Sequence, residues 1–500
     1  MMDTAKSRFE KLNGARSEVL ERARDAADLT IPSLMPASGH SESSRLPQPY
    51  QSLGARGVNN LASKLALALL PAGNPFFRMT VNDDIVGLID NEPEVQENLR
   101  KIENKAMERV ENSNLRVILH AALKQLITAG NAMLYLPDEG GARAFRLNQY
   151  VITRDPMGAW KEIVIQEKTH PATMDQDLID NEELGLDPTS DEDVEVYTLV
   201  KRMGDKVEFH QEINDVMVPG SEGSTKYDKS PFIPLRWNAV ENENYGRGHV
   251  EEYMGDLRSL EGLSKAVVEF SAAASRVIFL ERPNSTTDIA SLVEAQNGEF
   301  VEGNPEDIHT LQIDKYPDFQ VAKQTIDDLS LRLSHAFLLT TGTVRNAERV
   351  TAEEIRLQAQ ELEDVLGGVY TVLAQELQLP VVRRLLVQLR KSGQIPKLPE
   401  GTLSPTIVTG FDALGRGHEL NKYRQYFADG QALFGPTFMS QFDPAKVAAL
   451  MSLHHNIDID GIMKSQEMVE QEQQQAISQT VIDKAAGPVA GQMAKSTAEG

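Results

Sequence analysis

One long amphipathic helix, placed directly after a polar loop, constrains the fold of this chain more than any other feature. Residues 340–379 read TTGTVRNAERVTAEEIRLQAQELEDVLGGVYTVLAQELQL. Thr351 and Glu354 form a capping box, in which each side chain satisfies a backbone N–H at the start of a helix. A straight helix over residues 351–379 would span roughly 43 Å. Its apolar residues recur on one helical face, at Ile355, Ala359, Leu362, Leu366, Val369, Leu373 and Leu377.

Two adjacent glycines, Gly367 and Gly368, lie in the middle of this helix. Glycine weakens a helix interior and favours a kink, so these two residues are the candidate hinge. Pro380 then ends or bends the helix, because its ring clashes with the preceding turn and it has no backbone N–H. A polar loop carried on a long, hinged helix is typical of a segment that moves at a pore.

The composition argues against several classes of protein. The chain has 500 residues, a formal net charge of −24 and no cysteine. An acidic chain repels nucleic acid, which disfavours a DNA-wrapping or sequence-reading role. Without cysteine, disulfides and Cys-ligated zinc are impossible. The N-terminal segment is charged, unlike a signal peptide, and no apolar run is long enough for a membrane span. We therefore expect a protein that is soluble when made.

Helical and strand patterns both occur along the chain. Helical periodicity marks residues 4–28, 51–70, 95–129, 250–278 and 319–339. Strand patterns separated by turns mark residues 76–81, 150–166 and 194–236, and three short pieces at 277–280, 299–302 and 310–314. The helices at 250–278 and 319–339 thus flank a small β-rich insert. These patterns predict an α+β fold that is predominantly helical.

The remaining segments are mostly surface or connecting elements. Residues 175–195 contain ten acidic residues and no basic one. That composition is typical of a solvated acidic loop, and the alternative is a docking surface for a basic partner. Residues 381–393 predict a helix that ends in basic side chains and Gly393. Residues 398–409 read as a connector at a domain boundary, and we expect the tail at 484–500 to be poorly ordered.

No sequence motif for catalysis, cofactor binding or metal binding is present. The chain lacks a phosphate-cradling GxxxxGK[ST] loop, an HExxH motif and a GxSxG elbow. Adjacent His454 and His455 point apart on a helix, and Asp458 and Asp460 lack the rest of an EF-hand loop. We therefore predict no catalytic residue, no cofactor and no metal site, and a protein that is not an enzyme.

Four sequence blocks together resemble one known family. They are GARGVNNLASKLALALLP at 54–71, LKQLITAGNAMLYLP at 123–137, YGRGHVEEYMGDLRSLE at 245–261, and the loop and helix at 340–379. Each block alone is an ordinary helix or turn. In this order they are similar to the portal (head-to-tail connector) proteins of short-tailed, podovirus-type phages. The resemblance is thin around residues 175–195 and weak after residue 416.

The resemblance implies a phage portal fold, in which copies of the chain form a ring with a central channel. Its implied parts are a wing (1–249), a first stem helix (250–276), a clip (277–318), a second stem helix (319–340), a tunnel loop (341–350), the long wing helix (351–400), a crown (401–483) and a flexible tail (484–500). Twelve copies, a dodecamer, would surround the channel at one vertex of the capsid.

The implied tunnel loop supplies the candidate DNA-channel residues, which are Thr341, Thr343, Arg345, Asn346 and Arg349. Two interpretations of the arginines stay open. Arg345 and Arg349 are either ordinary loop and helix-cap residues that pair with Glu348 or a neighbouring subunit, or they face a DNA-filled channel and touch phosphates. No residue spacing in the loop decides between these interpretations.

The resemblance also implies partners and a location. Double-stranded DNA would pass through the channel without sequence-specific contacts, during packaging and again during ejection. The protein partners would be the terminase large subunit, scaffolding and major capsid proteins, tail adaptor and tail proteins, and internal core proteins. The ring would belong to the virion, after assembly in the host cytoplasm. Two rival classes are an enzyme of the DNA-packaging apparatus (a nuclease or an ATPase) and a capsid shell or scaffold protein.

Overall fold

The computed structural model describes residues 4–37, 39–41, 43–71, 75–81, 93–275, 278–285, 287–311, 316–339, 366, 368–395, 403–407 and 425–435, together with residues 438, 441, 442 and 447. The chain divides into two compact units, Met1–Ala413 and Leu414–Gly500. In the second unit the described part is a helix at residues 425–434 and an aromatic cluster that joins Tyr426 to Phe438 and Phe442.

Helices are the most frequent regular structure among the described residues of the first unit. They are α1 (Ala5–Gly14), α2 (Ser17–Asp28), α3 (Leu53–Leu69), α4 (Pro93–Glu111), α5 (Leu115–Ala129), α6 (Gln176–Ile179), α7 (His249–Glu252), α8 (Met254–Ala274), α9 (Ile289–Glu294), α10 (Tyr316–Ala336) and α11 (Leu379–Lys391). A π-helix at Ala374–Gln378 leads directly into α11. Short 3-10 turns connect several of these elements.

The strands form four small sheets. They are β1 (Phe77–Val81), β2 (Asn131–Tyr135), β3 (Arg143–Phe145), β4 (Tyr150–Arg154), β5 (Trp160–Thr169), β6 (Val194–Met203), β7 (Lys206–Ile213), β8 (Val216–Met217), β9 (Gly223–Lys226), β10 (Phe232–Arg236), β11 (Ile278–Glu281), β12 (Ile308–Leu311) and β13 (Leu403–Ile407). The largest sheet has the order β4-β5-β6-β7-β8, with β9 beside β7. The others are β10-β2-β3, β1-β13 and β11-β12, and every pairing is antiparallel.

The six-stranded sheet is buried on both faces, as the period of two along β5 shows. Val164 faces α1, where it joins a cluster with Phe9 and Leu199. Its neighbours Ile163 and Ile165 point to the opposite face, in a larger cluster that includes Leu20 of α2. The predicted hairpin at 150–166 is confirmed by β4 and β5, which pair through a turn.

The helical core packs α3, α5 and α11 around fully buried leucines such as Leu61, Leu65 and Leu123. The predicted helix at 95–129 is two helices, α4 and α5, with residues 112–114 between them. Pro380 does not end the helix that it enters. The π-helix runs directly into α11, which begins at Leu379, so the chain is helical on both sides of Pro380.

The predicted connector at 398–409 was wrong in one part. Residues 403–407 form β13, which pairs with β1 from Phe77↔Ile407 to Val81↔Leu403. The two strands lie far apart in the sequence, so no local turn signal announces their pairing. Of the three strand-like pieces in the insert, two correspond to β11 and β12, whereas residues 299–302 have no regular structure.

The acidic segment 175–195 is an exposed loop with a buried anchor. Leu184 is fully buried in a small cluster with Val196, Ile213 and Val218. The carboxylates Asp177, Glu183, Asp191, Glu192 and Asp193 point outward around it and are exposed. The apolar anchor holds the loop against the sheet, so the exposed carboxylates of the loop lie together on one part of the surface. Docking of a basic partner there stays a prediction.

Arg384 of α11 ties three segments of the first unit together. It is buried, and it donates hydrogen bonds to the carbonyl oxygens of Leu136 and Lys229, at 3.1 and 3.0 Å, and to the carboxylate of Asp138 at 2.7 Å. Lys391 also pairs with Asp138. Burial alone would raise the pKa of Asp138, but the hydrogen bonds from Lys391 and Arg384 outweigh it and hold the pKa below its ordinary value.

Replacing Arg384 with methionine should destabilise the protein by about 3 kcal/mol, because two buried carbonyl groups and a carboxylate lose their donor. The matched control is Lys391→Met, an exposed partner of the same carboxylate, for which a loss below about 1 kcal/mol is expected. Urea denaturation measures both. Since the lowered pKa of Asp138 stabilises the fold only above its ordinary value of 3.8, the deficit should shrink as the pH falls below that value.

Candidate functional site: the root of the helical arm

Helices α8 and α10 form an antiparallel arm that carries β11, α9 and β12 at its far end. Phe270 stacks near Phe319 with ring centroids 4.9 Å apart, and Arg332 lies 3.4 Å from Asp256. Within α8, all of which the structure describes, only Leu257 and Leu260 are buried. The predicted helix at 250–278 is therefore confirmed in its main part, although Tyr253 separates α7 from α8.

An aromatic cage closes around His249 where this arm joins the body. The imidazole lies 5.3 Å from the ring of Phe337, 5.4 Å from Trp237 and 5.1 Å from Tyr253. Its Nε2 is 3.0 Å from the carbonyl oxygen of Ala336, the last residue of α10. Burial lowers the pKa of His249, and the hydrogen bond to Ala336 opposes that shift only in part. A neutral imidazole therefore donates to the end of α10.

Side chains of α3 fix the residues that follow α10. Asn60 donates from Nδ2 to the carbonyl oxygens of Phe337 and Leu338, at 3.0 and 2.9 Å. The buried ammonium of Lys64 donates to Leu338 at 3.0 Å. Leu338 has a φ of 56°, a left-handed conformation that costs free energy in a residue other than glycine. These donors satisfy the carbonyl groups at the helix end and hold that conformation in place.

Gly57 lets α3 approach the same root. A Cβ at this position would lie 2.5 Å from Cγ of Phe337, closer than any real contact. The ring of Phe337 therefore rests directly on the helix backbone. Gly57, Asn60 and Lys64 occupy one face of α3 at helical spacing, and this face docks against the chain just before residue 340.

A second close approach involves Gly130 and the segment 246–248. Gly130 has a φ of 72°, and a Cβ there would lie 2.5 Å from backbone atoms of Arg247 and Gly248. A Cβ on Gly248 would lie 2.6 Å from the carbonyl oxygen of Thr128. Asn131 completes the crossing, since its side chain donates to Gly246 at 2.9 Å and accepts from the Gly246 N–H at 2.8 Å. The chain that leads into the arm thus crosses the start of β2 at backbone contact.

The predicted loop residues Thr341, Thr343, Arg345, Asn346 and Arg349 lie outside the residues that the structure describes. So does Gly367, one of the two candidate hinge residues. The structure therefore brings none of these residues to a defined contact, and their roles stay predictions.

Described residues lie before and after the predicted loop in the sequence. Leu339 lies at the root of the arm, directly after the residues that Asn60 and Lys64 hold. Leu366 is buried in the helical core, and Gly368 is helical and exposed, with open space where a Cβ would be. An alanine side chain at Gly368 would therefore meet no described residue.

Sequence reasoning missed the root residues themselves. Gly57, Asn60 and Lys64 belong to the block at 54–71, and Gly130 belongs to the block at 123–137. His249 and the glycines before it belong to the block at 245–261. Two sequence features indicate part of this root. Polar residues four apart on an apolar helix, and closely spaced glycines, each indicate that another segment approaches closely.

The described residues contain no group of three or more His, Asp or Glu side chains placed to hold a metal ion. Among the same residues, no helix is long and apolar enough to cross a membrane. The described residues of the site therefore form a long arm and a root that side-chain donors hold in place.

Comparison with known proteins identifies the family to which this chain belongs. A family model described as "Bacteriophage head to tail connecting protein" matches residues 2–460. This chain belongs to the family of bacteriophage head-to-tail connecting proteins. The resemblance that the four sequence blocks indicated is confirmed, and so is the predominantly helical α+β portal fold.

The relatives support the same assignment along the whole chain. The portal proteins of Enterobacteria phage T3 and Escherichia phage T7 are each 40% identical to it, covering 99% of this chain and 95% of the relative. The portal protein of Enterobacteria phage SP6 is 33% identical over 84% of this chain and 81% of its own length. A solved neck of an empty GTA particle, computed with C6 symmetry, covers 80% of this chain and 89% of its own with 11% identity and a TM-score of 0.36, too weak a likeness to carry an argument. The chain therefore functions as a portal-type connector between phage head and tail.

Proposed function

We propose that twelve copies of this chain close into a ring whose channel conducts double-stranded DNA at one capsid vertex, during packaging and ejection. The observation that carries the proposal is the 40% identity to portal proteins over 99% of the chain. Heterologous, head-to-tail contacts generate such closed rings when the rotation between neighbours closes. The ring would assemble in the host cytoplasm and then remain in the virion.

The uncovered apolar surface of the arm supports ring formation. Val321 and Leu331 of α10 are 66% and 56% exposed, and Val268 of α8 is 51% exposed. At the far end of the arm, Phe279 and Phe300 are exposed as well. Soluble monomers rarely leave so many apolar side chains open along one element, and contact with a second subunit would cover them.

The purified protein should therefore form a closed particle of roughly 0.6–0.7 MDa, because twelve subunits of 55.3 kDa make one ring. Native mass spectrometry measures the mass, and a negative-stain image shows the channel. A preparation that is mainly monomer at micromolar concentration would contradict the proposal. Large polyhedra or elongated dimers would instead indicate a shell or scaffold protein.

The negative charge of the chain fits a channel through which DNA slides. Every subunit contributes a formal charge of −24, and DNA carries one negative charge per roughly 1.7 Å of helix axis. A lining that attracted the duplex strongly would hold it in place, whereas a weakly repellent lining leaves it free to move. Binding of DNA to the ring should accordingly be weak and without sequence preference.

The parts of the portal fold would contact different partners. We assign the clip at 277–318 to the terminase large subunit and then to tail adaptor and tail proteins. The wing at 1–249 and the crown at 401–483 would face scaffolding, major capsid and internal core proteins. Removal of residues 278–311, which include β11, α9 and β12, should abolish terminase binding in a pull-down while the wing still folds.

We further infer that the ring does no chemistry of its own and that the terminase supplies the energy for packaging. The absence of any nucleotide-binding motif from the sequence supports this inference. Purified rings should neither hydrolyse ATP nor cleave duplex DNA in the presence of magnesium. A measurable ATPase or nuclease activity, retained through further purification, would favour the enzyme alternative.

The adjacent glycines of the long helix provide a test of its hinge. Changing both Gly367 and Gly368 to alanine should stabilise a straight helix by about 1 kcal/mol at each site. Rings should still form, since a Cβ at Gly368 meets open space, but the reach of the loop at 341–350 into the channel should change. Genome packaging and retention measure the effect. Normal packaging by the double variant would show that a kink at these residues has no function.

A further inference from the structure

A cavity of about 340 Å³ lies in the body of the first unit. Three segments enclose it: the turn between β4 and β5, strand β10 with the 3-10 turn before it, and the π-helix with the start of α11. Three arginines, Arg154, Arg236 and Arg383, line it, together with the aromatic side chains of Trp160 and Tyr227. A pocket of this size accommodates a small ligand group.

The inner charges of the cavity do not balance. Arg236 donates to the carboxylate of Glu376 at 2.5 Å, and the backbone N–H of Arg236 donates to its second oxygen at 3.3 Å. Arg154 has no carboxylate partner among its hydrogen bonds. Its guanidinium donates to the carbonyl oxygens of Gly158, Pro234 and Asn244, at 2.9, 3.3 and 3.2 Å. Two guanidinium groups thus share one carboxylate.

The environment of Arg154 reflects the excess of positive charge. Burial, followed by the charge of Arg236, lowers the pKa of Arg154 to about 10, although Glu376 opposes the shift. Arg154 therefore remains charged at neutral pH. A positive charge away from water without a matching anion is costly, and an added anion would relieve that cost.

The arginines around the cavity are not fully hydrogen-bonded. Nε of Arg236 is buried and has no hydrogen-bond partner among the described residues, and the residue as a whole is 8% exposed. Arg383 is partly buried and lines the opening. Gly158 makes the approach possible, because a Cβ there would lie 3.3 Å from Nη2 of Arg236, and a larger side chain would crowd the guanidinium. The opposing charges are Glu376 inside and Asp228 at the exposed rim.

We propose that this arginine-lined cavity is a binding site for a phosphate group. Arg383 supplies guanidinium N–H donors beside the positive charges of Arg154 and Arg236, a combination that suits the several oxygens of a phosphate. With three arginines against two carboxylates, the cavity keeps a positive charge within a strongly acidic chain. The phosphate comes either from a free phosphate or from the backbone of DNA. The site does not depend on ring formation.

Intrinsic fluorescence offers a direct readout, because Trp160 lines the cavity and the chain has only two tryptophans. The experiment uses the full chain, and the same titration of Trp160→Phe gives the signal of Trp237 alone, so that the difference reports on Trp160. Sodium phosphate is titrated at constant pH and constant ionic strength, with chloride as the balancing anion. Phosphate should change the emission of Trp160 in a saturable way. A response no larger than that to chloride would overturn the proposal.

The matched variants are Arg383→Gln at the cavity and Arg56→Gln on the exposed face of α3, each of which removes one arginine charge. Arg383→Gln should weaken phosphate binding about tenfold or more, and Arg56→Gln should leave it within about twofold. Equal binding by the two variants would contradict the site. A thermal-shift measurement, in which phosphate raises the unfolding temperature of wild type more than that of Arg383→Gln, provides a second readout.

Short duplex DNA separates the two sources of phosphate. If duplex DNA at the same ionic strength displaces the phosphate signal, the site takes phosphates of the DNA backbone. If phosphate binds and DNA has no effect, the site takes a free phosphate. Should phosphate have no effect and Arg383→Glu abolish ring formation, the cavity instead receives a carboxylate from the next subunit, and the proposal is wrong.

Discussion

Replacing Gly248 with alanine is expected to prevent stable folding of the first unit. The added Cβ would lie 2.6 Å from the carbonyl oxygen of Thr128 and 3.0 Å from backbone atoms of Ile127 and Gly130. These are backbone atoms at the junction of α5 and β2, so no side chain can rotate away to make room. A clash of this kind in a packed region costs about 3 kcal/mol, and more where the backbone cannot shift.

Gly255 provides the matched control, seven residues later in the same segment. It lies on the exposed side of α8, and a Cβ there meets nothing within 4 Å. Gly255→Ala should therefore stabilise the helix by about 1 kcal/mol. Soluble yield and thermal unfolding of the two variants measure the contrast. If Gly248→Ala unfolds at the wild-type temperature, the crossing of residues 246–248 over Gly130 is looser than the structure shows.

The sequence was a good guide to helices and hairpins because their signals are local. Periodicity located α3, α8 and α10 to within a few residues, and the turn before Gly158 located the hairpin of β4 and β5. It failed where structure depends on distant segments. The pairing of β1 with β13 joins Phe77 to Ile407 across most of the first unit, and neither strand carries a signal that names its partner.

Pro380 shows a second limit of local rules. A proline is expected to stop a helix, yet the chain remains helical on both sides of it. Tertiary contacts explain the difference. Glu376 is held by Arg236, and the amide of Gln378 donates to the carbonyl oxygen of Leu69 at 2.8 Å, so the widened π-turn is fixed by partners outside the helix. Helix propensity is a weak prior when such contacts compete with it.

The candidate site likewise contains residues that the sequence predicted and residues that only the structure revealed. The loop residues came from a family resemblance and a favourable composition, and both point to function without defining contacts. The root residues came from the structure alone, because Asn60, Lys64 and His249 look like ordinary helix residues in the sequence. The two sets are adjacent in the sequence: the root holds Leu338, and the predicted loop residues begin shortly after Leu339.

The double variant Arg345→Glu and Arg349→Glu is expected to leave ring formation intact and to reduce the DNA content of the capsid. The donors that hold the root are Asn60, Lys64 and His249, so we expect the subunit to fold without the two arginines. If they meet phosphates, reversal replaces attraction with repulsion in a narrow channel, where charges are poorly screened. We expect the titre of infectious particles to fall about tenfold or more.

The matched control is Arg45→Glu together with Arg56→Glu, which reverses two exposed arginine charges outside both the loop and the arm. Negative-stain images show whether rings form. The DNA content of purified capsids is measured before and after storage, which distinguishes poor filling from later leakage. Failure of the loop variant to form rings would show that Arg345 and Arg349 bind a neighbouring subunit. Wild-type filling and titre would show that neither arginine is needed for packaging or retention of the genome.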